Sequence, residues 1–476
     1  MKYLLLSLCV ALSLAWFVNK NALYDGLEYT VDVFTNLQAA RSVFVGDGFL
    51  HEYLSGGLKG VHNHFILLLI GPLTLILGAK AFFAVTAILQ AGASSRLVAS
   101  SEPGSLVKVG SIVAAMLFGP LMFWIIDNPF YGWEPETLYP FIAVLFAEAL
   151  LHQRKTIWLW AALIVLCRED AALLVGGIAV LWLVHKRAPL QQIVRTYTVW
   201  LFVFGLSMLL LRLLHESVAD SRINAAFGGI LQLSQNHALL GDFSVSALGA
   251  LAMFAAGLIP LFAVGGKRLV GWTILMSLPL WGVTTIATLW YANQSAGLQL
   301  HGLLWPPRFS LLWSILLAAC VFALENVPTL RTSSVVACVL LSIPLQWQLL
   351  NVFRNYSAVT RIAALSPTTA EALSPRSVAW MTCLSRSLPR QTIVEPHWNL
   401  QAFFEKQIIV TDSHRTPDKP DLFICDTQGK LPLPGQACLV QMSASLAEGY
   451  VATGVDGIAL TAKPTLQPTV AMCLKK

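Results

Sequence analysis

Apolar runs about 20 residues long alternate with short polar gaps over the first three-quarters of the chain. A helix of that length matches the ~30 Å hydrocarbon core of a bilayer. The first run, 3–18, predicts a span with Lys2 inside, followed by a long outer segment, 19–64. In that segment Val31, Phe34, Leu37 and Val45 recur near helical spacing and predict an interfacial amphipathic helix. The apolar stretch 65–95 is too long for one span. It divides into a short interfacial or re-entrant helix at 65–77 and a span at 79–95. Further spans are predicted at 108–126, 137–151 and 193–214, then one ending at Lys267-Arg268, one at 269–291, and two flanking Arg331. The run 156–185 lies between two basic pairs, Arg154-Lys155 and Lys186-Arg187, and carries Arg168-Glu169-Asp170 at its middle. With both pairs on the inside, the run predicts a hairpin of two short helices with the charged trio at its tip. The rival is a single span with three charges at bilayer depth, which desolvation makes costly. The total is about eleven spans.

Near residue 353 the pattern changes to Pro, Ser, Thr and charge, with short β-like runs at 391–395, 407–411 and 420–425. The expected organisation is an all-α polytopic membrane domain over 1–352 and a small α/β outer domain over 353–476. Lys and Arg gather in the gaps on one side, Asp, Glu and His in those on the other. By the positive-inside bias the N-terminus is cytoplasmic and the C-terminal domain periplasmic or extracellular. The N-terminal run resembles a signal peptide, but Trp16-Phe17-Val18-Asn19 offers no small-x-small cleavage site, so it reads as an uncleaved span.

Composition sharpens this picture. Of 476 residues 56% are hydrophobic and 12% charged, against roughly 25% charged in soluble domains, and mean hydropathy is +0.67. The net charge of +6 sits in short loops rather than in a basic stripe, which argues against a nucleic-acid partner. Of the eight cysteines, Cys9, Cys167, Cys320 and Cys338 lie in apolar runs and read as small hydrophobes. Cys383, Cys425, Cys438 and Cys473 fall in the tail, where one or two disulfides fit an oxidising compartment with three pairings open.

The candidate chemistry lies on the outer face. It comprises Asp32, the pair His62 and His64, the loop 127–136 with Glu134 and Glu136, the trio Arg168-Glu169-Asp170, and Arg308; His237 and His301 also occupy outer loops. A carboxylate can serve as base to an acceptor hydroxyl, and an Arg beside it can hold a phosphate. Each also has a plain explanation: a helix cap for Asp32, headgroup contact for the histidines, a helix start for the glutamates, an ion-pair staple for the trio and an interface anchor for Arg308. Walker, dinucleotide, HExxH and GxSxG motifs are absent.

In the order of these landmarks the chain resembles bacterial predicted membrane proteins of unknown function placed near the GT-C glycosyltransferases. The shared order is an Asp stretch ending in Gln (Asp32 to Gln38), His64-Phe65 opening a run with Pro72, an aromatic loop ending Pro135-Glu136, and Arg168-Glu169-Asp170. Two departures stand out: Asp32-Val33-Phe34 replaces an Asp-Leu-Gly-like stretch, and Glu134 holds the place of a His. The resemblance implies a GT-C-like fold in the inner (plasma) membrane and a polyprenyl-phosphate sugar donor. It implies a lipid, glycan or protein acceptor and leaves room for a divalent cation, Mg or Mn. It casts Asp32 as base, Glu136 and Glu169 as catalytic carboxylates that position the acceptor or a cation, and Arg168 and Arg308 as phosphate contacts. Asp170, His64, Glu134 and His301 then complete the substrate surface. The competing expectation is a non-enzymatic transporter or assembly partner for a lipid or glycan; the absence of an internal repeat speaks for the transferase.

Overall fold

The structure, a computed structural model, describes residues 1–30, 32–52, 64–127, 132–214, 228–294, 303–354, 369–410, 419–429, 431 and 436–475. His62, His215, Glu216, Asp220, Arg222 and His301 lie outside the described residues.

The chain is mostly helical. Its helices among the described residues include α1 (Lys2–Asp25), α2 (Asp32–Val45), α3 (Ile66–Leu77), α4 (Lys80–Ala99), α5 (Leu106–Leu117), α6 (Pro120–Asp127), α7 (Tyr139–Leu151), α8 (Ile157–Cys167), α9 (Ala171–His185), α10 (Leu190–Leu214), α11 (His237–Gln294), α12 (Pro306–Ala323) and α13 (Thr332–Arg354). Among the described residues seven helical segments are long and apolar enough to cross a membrane: Lys2–Asp25, Lys80–Ala99, Pro103–Asp127, Leu190–Leu210, His237–Leu289, Pro306–Ala323 and Thr332–Phe353. At 53 residues His237–Leu289 would be ~80 Å long as one rod. It breaks at Gly266, whose φ of 68° and ψ of 162° are non-helical. The turn expected at Lys267-Arg268 therefore sits one residue earlier, at the residue without a Cβ.

Three of the about eleven expected spans, α7, α8 and α9, are short, with 13, 11 and 15 residues, or ~17–22 Å of helix, and the two expected on either side of Lys267-Arg268 run together in His237–Leu289. α3, expected as a short interfacial or re-entrant helix, has 12 residues. α8 and α9 are separate helices that touch each other and both pack on α7, and the break between them is Arg168, extended at φ −166° and ψ 156°. The charged trio thus occupies a turn rather than a continuous helix. α12 is wholly buried, wrapped by α7, α9 and α11. Its start is set by Trp305 in extended backbone followed by Pro306 and Pro307, whose missing N–H groups cost nothing in a first turn.

Two expectations near the N-terminus need correction. α1 runs to Asp25, well past 18, because Lys20 is buried inside the protein rather than marking the water boundary. α2 does form where the spacing predicted it, but Val33, Phe34, Leu37 and Ala40 are buried against protein, with α3 among the neighbours. These residues face the fold, Val43 and Phe44 are exposed, and Val31 lies outside the described residues.

The C-terminal part carries α14 (Pro375–Ser387), α15 (Gln436–Ala447), α16 (Gln467–Leu474) and a five-stranded sheet. The strands are β1 (Ile393–Pro396), β2 (Ile408–Ile409), β3 (Leu422–Asp426), β4 (Val451–Val455) and β5 (Ile458–Ala462), in the order β2-β1-β3-β5-β4. The first three pair in parallel, with Val394 opposite Leu422 and Ile409. β4 and β5 form an antiparallel hairpin turned by Asp456-Gly457, both at positive φ, the Asp-Gly signature of a tight hairpin turn. Two disulfides close this part. Cys383 of α14 joins Cys473 of α16, and Cys425 of β3 joins Cys438 of α15. The three open pairings thereby reduce to one.

The C-terminal part docks on the segment that leads into α2. The Glu28 carboxylate accepts from the Thr369 amide at 2.7 Å and the Thr369 hydroxyl at 2.9 Å. Ala370 N donates to Gly26 O at 2.9 Å, Asn399 Nδ2 to Leu27 O at 3.2 Å, and Gln38 Nε2 to Ile409 O at 3.1 Å. Arg41 donates from Nη1 to Glu405 O at 2.7 Å, and from Nη2 and Nε to Thr74 O at 2.8 and 3.2 Å.

Candidate functional site

Asp32 is the first residue of α2, and an acidic side chain in a first helical turn faces the positive end of the helix dipole. It is half-buried and hydrogen-bonded to Glu134. Burial pushes its carboxyl up to about 6; the nearby charges of Glu136 and Glu52 push the same way, while the Glu134 hydrogen bond and His64 oppose them. Two carboxyl groups that share a hydrogen bond hold one proton between them, so near neutral pH this pair can both give and accept one.

Glu134 sits in extended backbone, followed by Pro135 at the start of a 3-10 turn, Pro135–Leu138, that packs on α12. The turn sends Glu136 inward, where it is 1% exposed. Arg168 reaches it from the α8–α9 turn, with Nη1 2.9 Å from Glu136 Oε1 and Nη2 2.8 Å from Asp170 Oδ2. His64 Nε2 stands 3.8 Å from the same Glu136 oxygen. Glu169 is buried beside Arg168. Asp32, Glu134 and His64 are thus a partly exposed rim over a buried floor of Glu136, Arg168, Glu169 and Asp170.

Seven of the sequence-predicted site residues therefore converge: Asp32, His64, Glu134, Glu136, Arg168, Glu169 and Asp170. Arg308 is buried in the first turn of α12 and donates from Nη1 to Thr288 Oγ1 at 3.0 Å. His237 begins α11 and is exposed. Among the described residues no three His, Cys, Asp or Glu side chains are grouped to hold a metal ion, so the divalent cation finds no ligand set there. The cluster is strongly acidic, with Glu52 and five other carboxyl groups around one guanidinium and one imidazole. Both Nη atoms of Arg168 are engaged by carboxylates, which leaves Nε, buried and with no acceptor among the described residues.

Sequence reasoning missed Lys20, Tyr29 and Asp127. Lys20 is 0% exposed, with Nζ 3.3 Å from Asp127 Oδ1 and 4.0 Å from the Tyr29 ring centre. The Tyr29 hydroxyl donates to the same Asp127 oxygen at 3.0 Å. The sequence offered little signal, because Lys20 stands in the polar triplet Asn19-Lys20-Asn21 at the end of the apolar run, with only Ala22, Leu23 and Tyr24 before Asp25. Comparison with known proteins finds no family model, no curated protein and no solved structure that matches the chain.

Proposed function

We propose that the protein is a membrane-embedded glycosyltransferase that moves a sugar from a polyprenyl-phosphate carrier to a lipid, glycan or protein acceptor at the outer face. In this reading the fold is GT-C-like with about eleven passes, the N-terminus is cytoplasmic, and the C-terminal domain lies outside the inner membrane. The observation that carries it is the half-buried Asp32, raised to about 6 and hydrogen-bonded to Glu134, seated over the buried Glu136–Arg168–Asp170 network. Asp32 takes the proton of the acceptor hydroxyl, and the acceptor oxygen forms its bond to the anomeric carbon. The bond from that carbon to the phosphate oxygen breaks, and polyprenyl phosphate leaves with the electron pair. Arg168, through Nε, faces the leaving charge, while Glu136 and Asp170 fix the guanidinium. Arg308 is the second candidate phosphate contact, and Glu169 helps to hold the trio.

The test is transfer of a labelled sugar from polyprenyl phosphate by purified protein in detergent. Asp32→Asn is expected to lower the rate about 10²–10⁴-fold without loss of fold. A variant that transfers at the wild-type rate overturns Asp32 as base. A second reading is favoured by the shared proton: such a pair also suits a proton-coupled lipid or glycan carrier. Flux into proteoliposomes that follows a pH gradient, with no bond cleaved, would select that reading.

A further inference from the structure

Lys20, on α1, reaches across to both ends of the segment that precedes Glu134. Its ammonium donates to the Asp127 backbone carbonyl at 2.5 Å and to the Gly132 carbonyl at 3.1 Å, with the Asp127 carboxylate 3.3 Å away. The rings of Trp16, Tyr29 and Phe83 surround it at 5.9, 4.0 and 5.3 Å from their centres. A charge buried this completely needs a partner, and Asp127, also 0% exposed, supplies it. Neutralising Asp127 explains one contact but not the reach to Gly132, two residues before Glu134. Gly132 is itself seated: its φ is 86°, and an added Cβ would lie 2.9 Å from the Tyr29 Cβ and ring. The next residue is fixed from two other elements. Asn36 Nδ2 of α2 donates to Trp133 O at 3.2 Å, and the Trp133 indole donates to Thr86 Oγ1 of α4 at 3.0 Å and stacks on Phe82.

We propose that Lys20 is a positioning residue: by clamping the Asp127 and Gly132 carbonyls it sets Glu134 against Asp32, as a strut from the first helix to the outer acidic pair. The function of that pair rests on the transferase reading; the clamp itself does not. Tyr29 belongs to the strut, since its ring faces the ammonium, its hydroxyl holds Asp127, and its Cβ bounds Gly132.

The test measures proximity rather than activity. Asp32→Cys/Glu134→Cys is oxidised in the full-length protein in detergent, and the rate of the 32–134 cross-link is read by peptide mass spectrometry. Mass spectrometry separates it from the native free cysteines Cys9, Cys167, Cys320 and Cys338. The same pair is placed on Lys20→Arg and on Lys20→Met/Asp127→Leu, in which no uncompensated charge is buried. The double variant is expected to fold with a lower melting point, because the Asp127 and Gly132 carbonyls lose the Lys20 donor and the Tyr29 hydroxyl loses the Asp127 carboxylate, and to cross-link about tenfold more slowly, because a shift on the order of 1 Å is enough to spoil the approach. Lys20→Arg, which keeps donors to both carbonyls, is expected to stay close to the wild-type rate. Wild-type cross-linking in the folded double variant overturns the proposal and leaves Lys20 as a mere counter-charge. If the double variant does not fold, Lys20→Gln/Asp127→Asn, which buries no charge, keeps an acceptor for the Tyr29 hydroxyl and is too short for both carbonyls, is read by the same two outcomes. Where wild type transfers sugar, Lys20→Gln/Asp127→Asn lowers kcat and leaves KM in place. Absence of transfer in wild type defeats the transferase reading alone, because the cross-link result stands without it.

Discussion

Asp32 is held by forces of opposite sign. Burial and the neighbouring charges of Glu136 and Glu52 favour its neutral form, whereas Glu134 and His64 favour the charged one, and the balance sits at about 6. If Asp32 is the base, it must be ionised, so the transfer rate should climb as pH rises through about 6 and level off above it. The stability consequence has the opposite sense. A carboxyl raised in the folded state holds its proton more tightly there than in the unfolded chain, so stability falls as pH rises from about 4 to about 6 and stays lower above. Asp32→Asn removes that cost. Melting in detergent should show the variant more stable than wild type by about 2–3 kcal/mol at pH 7 and indistinguishable from it below pH 4. Asp32 was legible in the sequence as an acid opening a helix after the first span. Its partner Glu134 was legible as an acid in an aromatic loop; their meeting was not, because a hundred residues of chain separate them.

The α8–α9 turn shows what an element can do with costly charges. Arg168-Glu169-Asp170 interrupts a long apolar run, and the expense of three charges at depth is what made a turn the better sequence reading. The structure meets that expense with an extended Arg168 whose guanidinium bridges Glu136 and Asp170. Removing one member of such a network leaves the others stranded. Arg168→Met should cost about 3–5 kcal/mol in thermal or denaturant unfolding, and adding Glu136→Gln and Asp170→Asn should return much of the loss. In the C-terminal part, the Cys383–Cys473 bridge spans 90 residues and the Cys425–Cys438 bridge 13. Loop-closure entropy puts the first about 1–2 kcal/mol ahead of the second. Cys383→Ser should therefore lower the melting point of the sheet more than Cys425→Ser. The cysteine pairing was beyond the sequence because it depends on which strand and helix face one another.

At the scale of the whole molecule, the segment from Gly26 to Arg41 lies between two partners. The helical bundle packs against one side of α2, and the C-terminal part holds Gly26, Leu27, Glu28, Gln38 and Arg41 by hydrogen bonds. Arg41 ties together Thr74 of α3 and Glu405 between β1 and β2, and burial pushes its guanidinium pKa below the usual range. Its loss takes the Arg41 donor from the half-buried Glu405 carbonyl, at about 1–3 kcal/mol, while Thr74 O keeps the Gly78 amide at 3.0 Å. Arg41→Ala should therefore loosen the docking, read as faster hydrogen exchange at Gly26–Tyr29 and at Glu405 while exchange in α12 stays unchanged.

The sequence by itself determined the class of the chain and most of its elements. Apolar run length, basic gaps and the change near residue 353 depend on local composition, and so did the helices near 66–77 and 80–99, the break in 156–185 and the strands around Val394, Ile409 and Phe423. Only the tertiary structure decided where the charges end. Lys20 is an inside residue because Asp127, Gly132 and Tyr29 are there to receive it. α2 is a packed helix because α3 and the C-terminal part cover it. Hydrophobic pattern records which residues avoid water, and it is silent on which distant polar groups satisfy one another. That pairing, made across sequence gaps of about a hundred residues, is what assembles the site.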